Sequence, residues 1–221
     1  MTELFATVLL DTPAFHVLLQ NSALITLGVL TGQLAAATPA SWALAQFSFP
    51  GRSALLFVYI LLMMLPFQAV MLPTYLVMEA LSINNSLWAV VLPGIFSAFP
   101  VFIMAQFFAS IPRSLMDAAR LDGASEWFIF LHIGIPLGAP GIFAALVLGF
   151  FEYWNAVEQP LAFLEDPSLW PLGMFSPAVT AESAGLMVVA AGVSAVPGLL
   201  VFLWGKNHLE AGIASTTRMG R

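Results

Sequence analysis

The sequence contains no cysteine, which excludes a disulfide framework, a thiolate metal site and a cysteine nucleophile. Charge is nearly as scarce. Only 8% of the 221 residues are Asp, Glu, Lys or Arg, against about 25% in a typical soluble domain. Six basic residues cannot build the basic face that nucleic acid requires, so no nucleic-acid partner is expected. Catalytic patterns are also missing. The three histidines, His16, His132 and His208, show no H-E-x-x-H or i,i+4 spacing, so no metal site is expected. No G-x-S-x-G occurs. The stretch from Gly198 to Lys206 has the wrong spacing for a phosphate loop, and Asn207 stands where Ser or Thr is needed. The reading is therefore not an enzyme, with no catalytic residue and no cofactor bound by this chain.

What the sequence has in excess is apolar surface. Hydrophobic residues make up 60% of it, and the mean hydropathy is +0.94. Five stretches carry no Asp, Glu, Lys or Arg: 12–51, 53–78, 80–112, 127–151 and 183–205. Each exceeds the roughly 20 apolar residues that cross a bilayer as a helix. Barrel strands would instead alternate over about 10 residues. The fold class is thus all-α, a polytopic transmembrane helical bundle with spans near 22–46, 54–78, 86–109, 134–152 and 184–204. The lipid bilayer is the first partner. Kinks are expected at Pro39, Pro66, Pro73, Pro93 and Pro100, because membrane helices tolerate proline when neighbours satisfy the freed carbonyls.

Arg52, Arg113, Arg120, Lys206, Arg218 and Arg221 all fall in segments that five crossings put on one side. The opposite side carries Glu3, Asp11, Glu79, Glu152, Glu158, Glu165, Asp166 and Glu182. The positive-inside rule then sets the N-terminus outside and the C-terminus in the cytoplasm. Residues 1–20 lack the features of a signal peptide. Their apolar pattern (Phe5, Val8, Leu9, Phe15, Leu18, Leu19) fits a helix along the outer interface. Domains follow as 1–20 (outer interfacial segment), 21–208 (membrane domain with a cytoplasmic loop at 110–135) and 209–221 (cytoplasmic tail). No span centre holds an ionisable residue, which disfavours autonomous proton-coupled transport. Gly28 and Gly32, and the series Gly134, Gly138 and Gly141, have the spacing of close helix packing, or reflect composition alone. The six tryptophans mostly lie near span ends, where aromatic side chains anchor at the interface.

One cytoplasmic loop has its own punctuation. In residues 110–136, Ser114 is positioned to cap a helix with Asp117 in the capping-box position. Ala118, Ala119 and Leu121 offer a small apolar face, and Gly123 is placed to end the helix. Ser125 or Ala124 starts a second helix, and Pro136 marks the start of span four. A short projecting helix of this kind suits a groove in a cytoplasmic partner, or is a solvated amphipathic loop.

The segment resembles the EAA loop of ABC-importer permeases, EAA-x3-G-x9-I-x-LP. Asp117, Ala118 and Ala119 stand for EAA, with Gly123, Ile133, Ile135 and Pro136 at the required gaps. Asp117 replaces Glu, one methylene shorter, and Ile135 replaces Leu. A second set of residues is similar to the carbohydrate-type permeases: Phe151-Glu152-Tyr153-Trp154-Asn155, Pro160-Leu161, Trp170-Pro171-Leu172-Gly173 and Leu209-Glu210-Ala211-Gly212-Ile213, with Asn21-Ser22 and Phe49-Pro50-Gly51-Arg52. The resemblance covers about residues 15–215. Members of that family usually have six spans, so a truncated start or a five-span variant is expected.

The resemblance implies a type I ABC-importer permease-like subunit that moves a sugar, polyol or sugar derivative by alternating access. It implies two cytoplasmic ATP-binding subunits that hold ATP and Mg, a second permease subunit, identical or homologous, and an extracytoplasmic solute-binding protein. The coupling positions would be Ser114, Asp117, Ala118, Ala119, Leu121, Asp122, Gly123, Ile133 and Pro136. Candidates along the substrate path are Asn155, Tyr153, Glu152, Gln68 and Gln106; interhelical hydrogen bonding is the other role open to the two glutamines, and a solvated outer rim is the other, favoured reading of Glu152 and Glu158. A permease for amino acids, phosphate or peptides, and a channel or scaffold without an ATPase, are the competing readings.

Overall fold

The computed structural model describes residues 13–175 and 183–218. Every element in them is helical: α1 (Pro13–Gln46), α2 (Arg52–Met64), α3 (Phe67–Ala80), α4 (Leu87–Ile95), α5 (Ala98–Ala109), α6 (Arg113–Leu121), α7 (Glu126–Ile129), a π-helical turn (Phe130–Gly134), α8 (Ile135–Trp154), α9 (Glu158–Phe163), two 3-10 turns (Pro167–Leu169 and Leu172–Met174) and α10 (Ser183–Arg218). The expectations for Phe5, Val8 and Leu9 fall outside the described residues. Among the described residues four stretches are long and apolar enough to span a membrane, Phe15–Gln46, Leu87–Ala109, Glu126–Trp154 and Val188–Gly205, and the bent pair α2 and α3 makes a fifth if it counts as one span.

The expected second span is not one helix. α2 and α3 meet at 105°. Leu65 is extended (φ −72°, ψ 126°) because Pro66 disfavours the helical region for the residue before it. Pro39, by contrast, sits inside an unbroken α1, and Pro73 inside α3. The fourth span starts earlier than expected. α7 begins at Glu126, and the π turn carries the chain without a gap into α8. Pro136 has no N–H to give the ladder, and the Ile135 N–H bonds back to Phe130 O. α1 begins at Pro13, so residues 13–20 continue directly into the first span. α10 is helical through Arg218, so residues 209–218 prolong that helix.

The chain divides into two compact units. The first collects residues up to Leu30, Phe67–Gly94 and Gly149–Leu203. Its core joins Phe15, Leu18, Phe150, Trp154, Leu172 and Val189. The loop after α9 is held by side chains of α1 and of the turn between α3 and α4. Asn21 Nδ2 donates to Ser168 O (2.8 Å) and Trp170 O (3.0 Å). Ser22 Oγ accepts from Leu172 N (2.8 Å). Asn85 Oδ1 accepts from the backbone N–H of Glu165 and of Asp166, each at 2.9 Å.

The second unit collects Thr31–Pro66, Ile95–Leu148 and residues from Trp204 on. Its core centres on Trp42, Met104, Phe108, Met116, Ile129 and Phe130. Trp42 stands edge-on to Phe108 with ring centroids 5.3 Å apart. Arg52 closes the end of α1, donating to Leu44 O (2.6 Å) and Ala45 O (3.1 Å), the carbonyls that helix geometry leaves without partners. Two glycine patterns prove to be packing sites. A Cβ on Gly28 would lie 3.2 Å from Val91, and one on Gly32 would collide with Ile95. Gly134 lies against Trp42, Gly138 against Phe108 and Gly141 against Phe107. Trp42 and Trp154 are buried rather than anchoring at an interface. The Trp42 ring fills the space that Gly134 leaves open, and Trp154 stacks on Phe150.

Candidate functional site: an exposed helix and two clefts

α6 is held to the second unit by one face. Met116 is 1% exposed, and Ala119, three residues on, is half-buried against the same core. Leu115, Ala118 and Leu121 lie on the exposed side, Leu121 at 90%. The small apolar face therefore differs from the one expected. Ala119 belongs to the packed side, and Leu115 replaces it on the open side through its i,i+3 spacing to Ala118. Ser114 is not the cap. Pro112 occupies that position without a side-chain hydrogen bond, and Ser114 lies in the first turn. α6 begins at Arg113, directly after Pro112, so Ser114 already lies inside the first turn and cannot cap it.

Gly123 ends the helix as expected. It adopts φ +84°, a region open to glycine at little cost. Gly123 N–H bonds to Arg120 O and Ala124 N–H to Ala119 O, both at 3.0 Å, which is the double bond pattern of a Schellman stop. Ser125 then caps α7, its Oγ accepting from Phe128 N at 3.2 Å. Asp117 makes no capping contact. Its Oδ1 receives Arg120 Nη1 at 2.8 Å, and Arg120 also donates from Nε to Glu126 Oε1 (2.7 Å) and from Nη2 to Glu126 Oε2 (3.3 Å). These bonds raise the Arg120 pKa further above its ordinary value, Glu126 contributing most. Asp122 is the exposed C-cap residue of α6. Ile133 lies half-buried in the π turn against the core, and Pro136 is exposed at the start of α8. The spacing pattern thus spans two kinds of position: a projecting helix and the base of a membrane helix.

The substrate-path candidates separate. In the first unit, Glu152, Tyr153 and Glu158 line a cleft of about 220 Å³ with Phe67, Ala156 and Val157. Gln68 Nε2 donates to Glu158 Oε1 there at 3.4 Å. Tyr153 is only 2% exposed, its ring packed on Gly94, so it shapes the wall and presents little surface to a solute. Asn155 lines another cleft with Trp154, Ser194 and Phe202, and its Nδ2 is engaged by Phe151 O at 3.0 Å. Gln106 belongs to the second unit, exposed on α5. Sequence reasoning missed Arg120 and Glu126. The signal was available: an arginine three residues after one carboxylate and six before another, on either side of a glycine stop.

A family model described as "Binding-protein-dependent transport system inner membrane component" matches residues 28–215. The chain is 30% identical over 197 residues to the arabinooligosaccharides transport system permease protein AraQ of Halalkalibacterium halodurans, covering 87% of this chain and 70% of that protein. It is 32% identical over 159 residues to the sn-glycerol-3-phosphate transport system permease protein UgpE of Pectobacterium atrosepticum, covering 72% of this chain and 57% of that protein. The fold matches a chain of a bacterial ABC transporter involved in the import of the acidic polysaccharide alginate, with a TM-score of 0.79 at 23% identity over 93% of this chain and 79% of that one.

Proposed function

The chain belongs to the binding-protein-dependent transport system inner membrane components, and from that premise we propose that it imports an uncharged sugar or oligosaccharide by alternating access, driven by ATP hydrolysed in partner subunits. The observation that carries the coupling is α6. It is a short helix with one buried side chain, a glycine stop and an open face of Leu115, Ala118 and Leu121. Such a face fits a groove of a second protein. ATP bound elsewhere can shift the two states of a permease only through a contact whose strength differs between them. The open face of α6 supplies that contact, and two ATP-binding subunits, which would hold the ATP and Mg, would meet it and its counterpart on a second permease subunit. An external binding protein would deliver the solute.

The uncharged substrate follows from electrostatics. Among the described residues the first unit contains Glu79, Glu152, Glu158, Glu165 and Asp166 and no Lys or Arg. An anion in the cleft between Glu152 and Glu158 would meet uncompensated negative charge. A hydroxyl-rich neutral solute can instead donate to those carboxylates. This favours the arabinooligosaccharide type of cargo over a sugar phosphate or an acidic polysaccharide.

The same reading puts α6 and the basic residues in the cytoplasm and the acidic first unit's loops outside. The absence of cysteine makes a direct test simple. Leu121→Cys, in intact cells and in inverted vesicles, is exposed to a membrane-impermeant maleimide. Labelling in inverted vesicles alone, blocked by co-expressed ATP-binding subunit, is expected. Labelling from the outer face of intact cells sinks the proposal.

A further inference from the structure

We propose that Arg120 is a positioning residue that sets the angle between α6 and α7, so that force on α6 reaches the following membrane span. The inference rests on α6 being the contact with an ATPase.

The junction between the two helices, residues 122–125, is short but open. Gly123 has φ +84°, and a Cβ added there would meet nothing within 4 Å. The Schellman bonds at Gly123 and Ala124 return to α6 itself and do not tie it to α7. Met116 provides the single buried attachment beneath α6. A helix held only by Met116, the half-buried Ala119 and a glycine junction can swivel, and a swivelling helix absorbs motion instead of passing it on.

Arg120 spans that junction. Two of its guanidinium nitrogens, Nε and Nη2, meet both oxygens of Glu126 in the first turn of α7, while Nη1 holds Asp117 one turn back on α6. A two-pronged guanidinium–carboxylate pair is directional as well as attractive. It therefore restrains orientation, which a single ammonium cannot do. Exposed ion pairs add little to folding stability taken singly. The expected effect is consequently on coupling, with membrane abundance preserved. The geometry also means that Asp117, the residue standing where the EAA pattern has Glu, already has its first partner within this chain. A contact from Asp117 to an ATPase would have to share or displace Arg120 Nη1.

The test uses the complete transporter in proteoliposomes, with binding protein saturated, and reads solute imported per ATP hydrolysed. Arg120→Ala is expected to lower that ratio about tenfold, within the range that coupling free energies produce, with ATP hydrolysis retained. Arg120→Lys is expected to stay low. Glu126→Gln keeps the side-chain shape, guards against a folding defect, and is expected to lower the ratio too. With Arg120→Cys and Glu126→Cys in this cysteine-free chain and cysteine-free partners, a short bis-methanethiosulfonate spacer is expected to restore the ratio, and reductant to abolish it again. An unchanged ratio in Arg120→Ala or in Glu126→Gln overturns the proposal. So does a lowered ratio that the spacer does not restore, because Arg120 would then act on the partner directly. Ala118→Asp separates the underlying reading: if it abolishes uptake while Arg120→Ala transports normally, α6 remains the ATPase contact and only the role of Arg120 fails. If both transport normally, the reading of α6 fails as well.

Discussion

The ring of Tyr153 rests directly on Gly94: a Cβ built on that glycine would stand 2.9 Å from Tyr153 Cε1 and 2.8 Å from Val29 Cγ2. α1, α4 and α8 therefore meet at a residue with no side chain. A larger residue at 94 must push two packed side chains apart, and overpacking of this kind costs about 1–3 kcal/mol. Gly94→Val is expected to lower the thermal midpoint of the detergent-purified protein, with a matching fall in membrane abundance. An unchanged midpoint would show that the three helices do not meet as described.

The two faces of α6 should respond differently to a charge. Ala118 is exposed, and Ala119 is half-buried beside Met116. Ala118→Asp is expected to abolish uptake with normal abundance, whereas Ala119→Asp should reduce abundance as well, because it buries a carboxylate against an apolar core. Immunoblots and uptake on the same membranes distinguish the two. Equal abundance for both variants would contradict the assigned faces.

Gly123 offers a graded version of the same test. Its left-handed conformation costs a residue with a Cβ about 1–2 kcal/mol, and no neighbour obstructs the added atom. Gly123→Ala is expected to slow uptake partially, and Gly123→Asp to abolish it, with insertion intact in both. Normal uptake by Gly123→Asp would count against the coupling role.

The acidic cleft predicts an altered preference. Replacing Glu152 and Glu158 by Gln removes two negative charges while keeping shape. An anionic sugar derivative should then compete with the neutral substrate about fivefold better, on the order of 1 kcal/mol, the size of one close charge pair in bulk water. Competition assays across neutral and uronic-acid sugars read this out. Equal inhibition before and after the change would remove electrostatic exclusion from the account.

Asp166 carries a pH dependence whose sign is set by its contacts. The backbone N–H of Ser168 donates to its carboxylate at 2.8 Å and holds its pKa below the usual carboxylate value. The folded value is depressed, so this stabilisation is present above the unfolded value and disappears as the pH falls through the folded one. Hydrogen exchange at the Ser168 amide, corrected for its intrinsic rate, is expected to stay protected at neutral pH and lose protection in strong acid. Asp166→Ala should lose it at neutral pH already. Equal protection in the variant would show that the turn is held by Asn21 and Asn85 alone.

The features legible in the sequence are those decided by residues close together along the chain. Gly123 stops a helix, and Ser125 starts one, because capping bonds span three to five residues. Helix type and approximate span positions followed from continuous apolar runs, since the bilayer penalises any unsatisfied backbone. Other local expectations failed where two local signals competed. Ser114 had the composition of a cap, but α6 begins at Arg113, directly after Pro112. Pro66 read as a kink, and the structure turns by 105° there. Proline sets the conformation of the residue before it, and the size of the resulting bend depends on what the next helix packs against.

The sequence by itself determined that this chain is a membrane protein of helices, where its charges lie, and which loop carries the coupling pattern, because hydropathy and short-range spacing are written along one dimension. Only the tertiary structure decided that Ala119 turns inward and Leu115 outward, that Tyr153 packs on Gly94, and that Arg120 joins Asp117 to Glu126 across a glycine. Those outcomes depend on which face a helix presents to distant residues, and that is a property of packing in three dimensions.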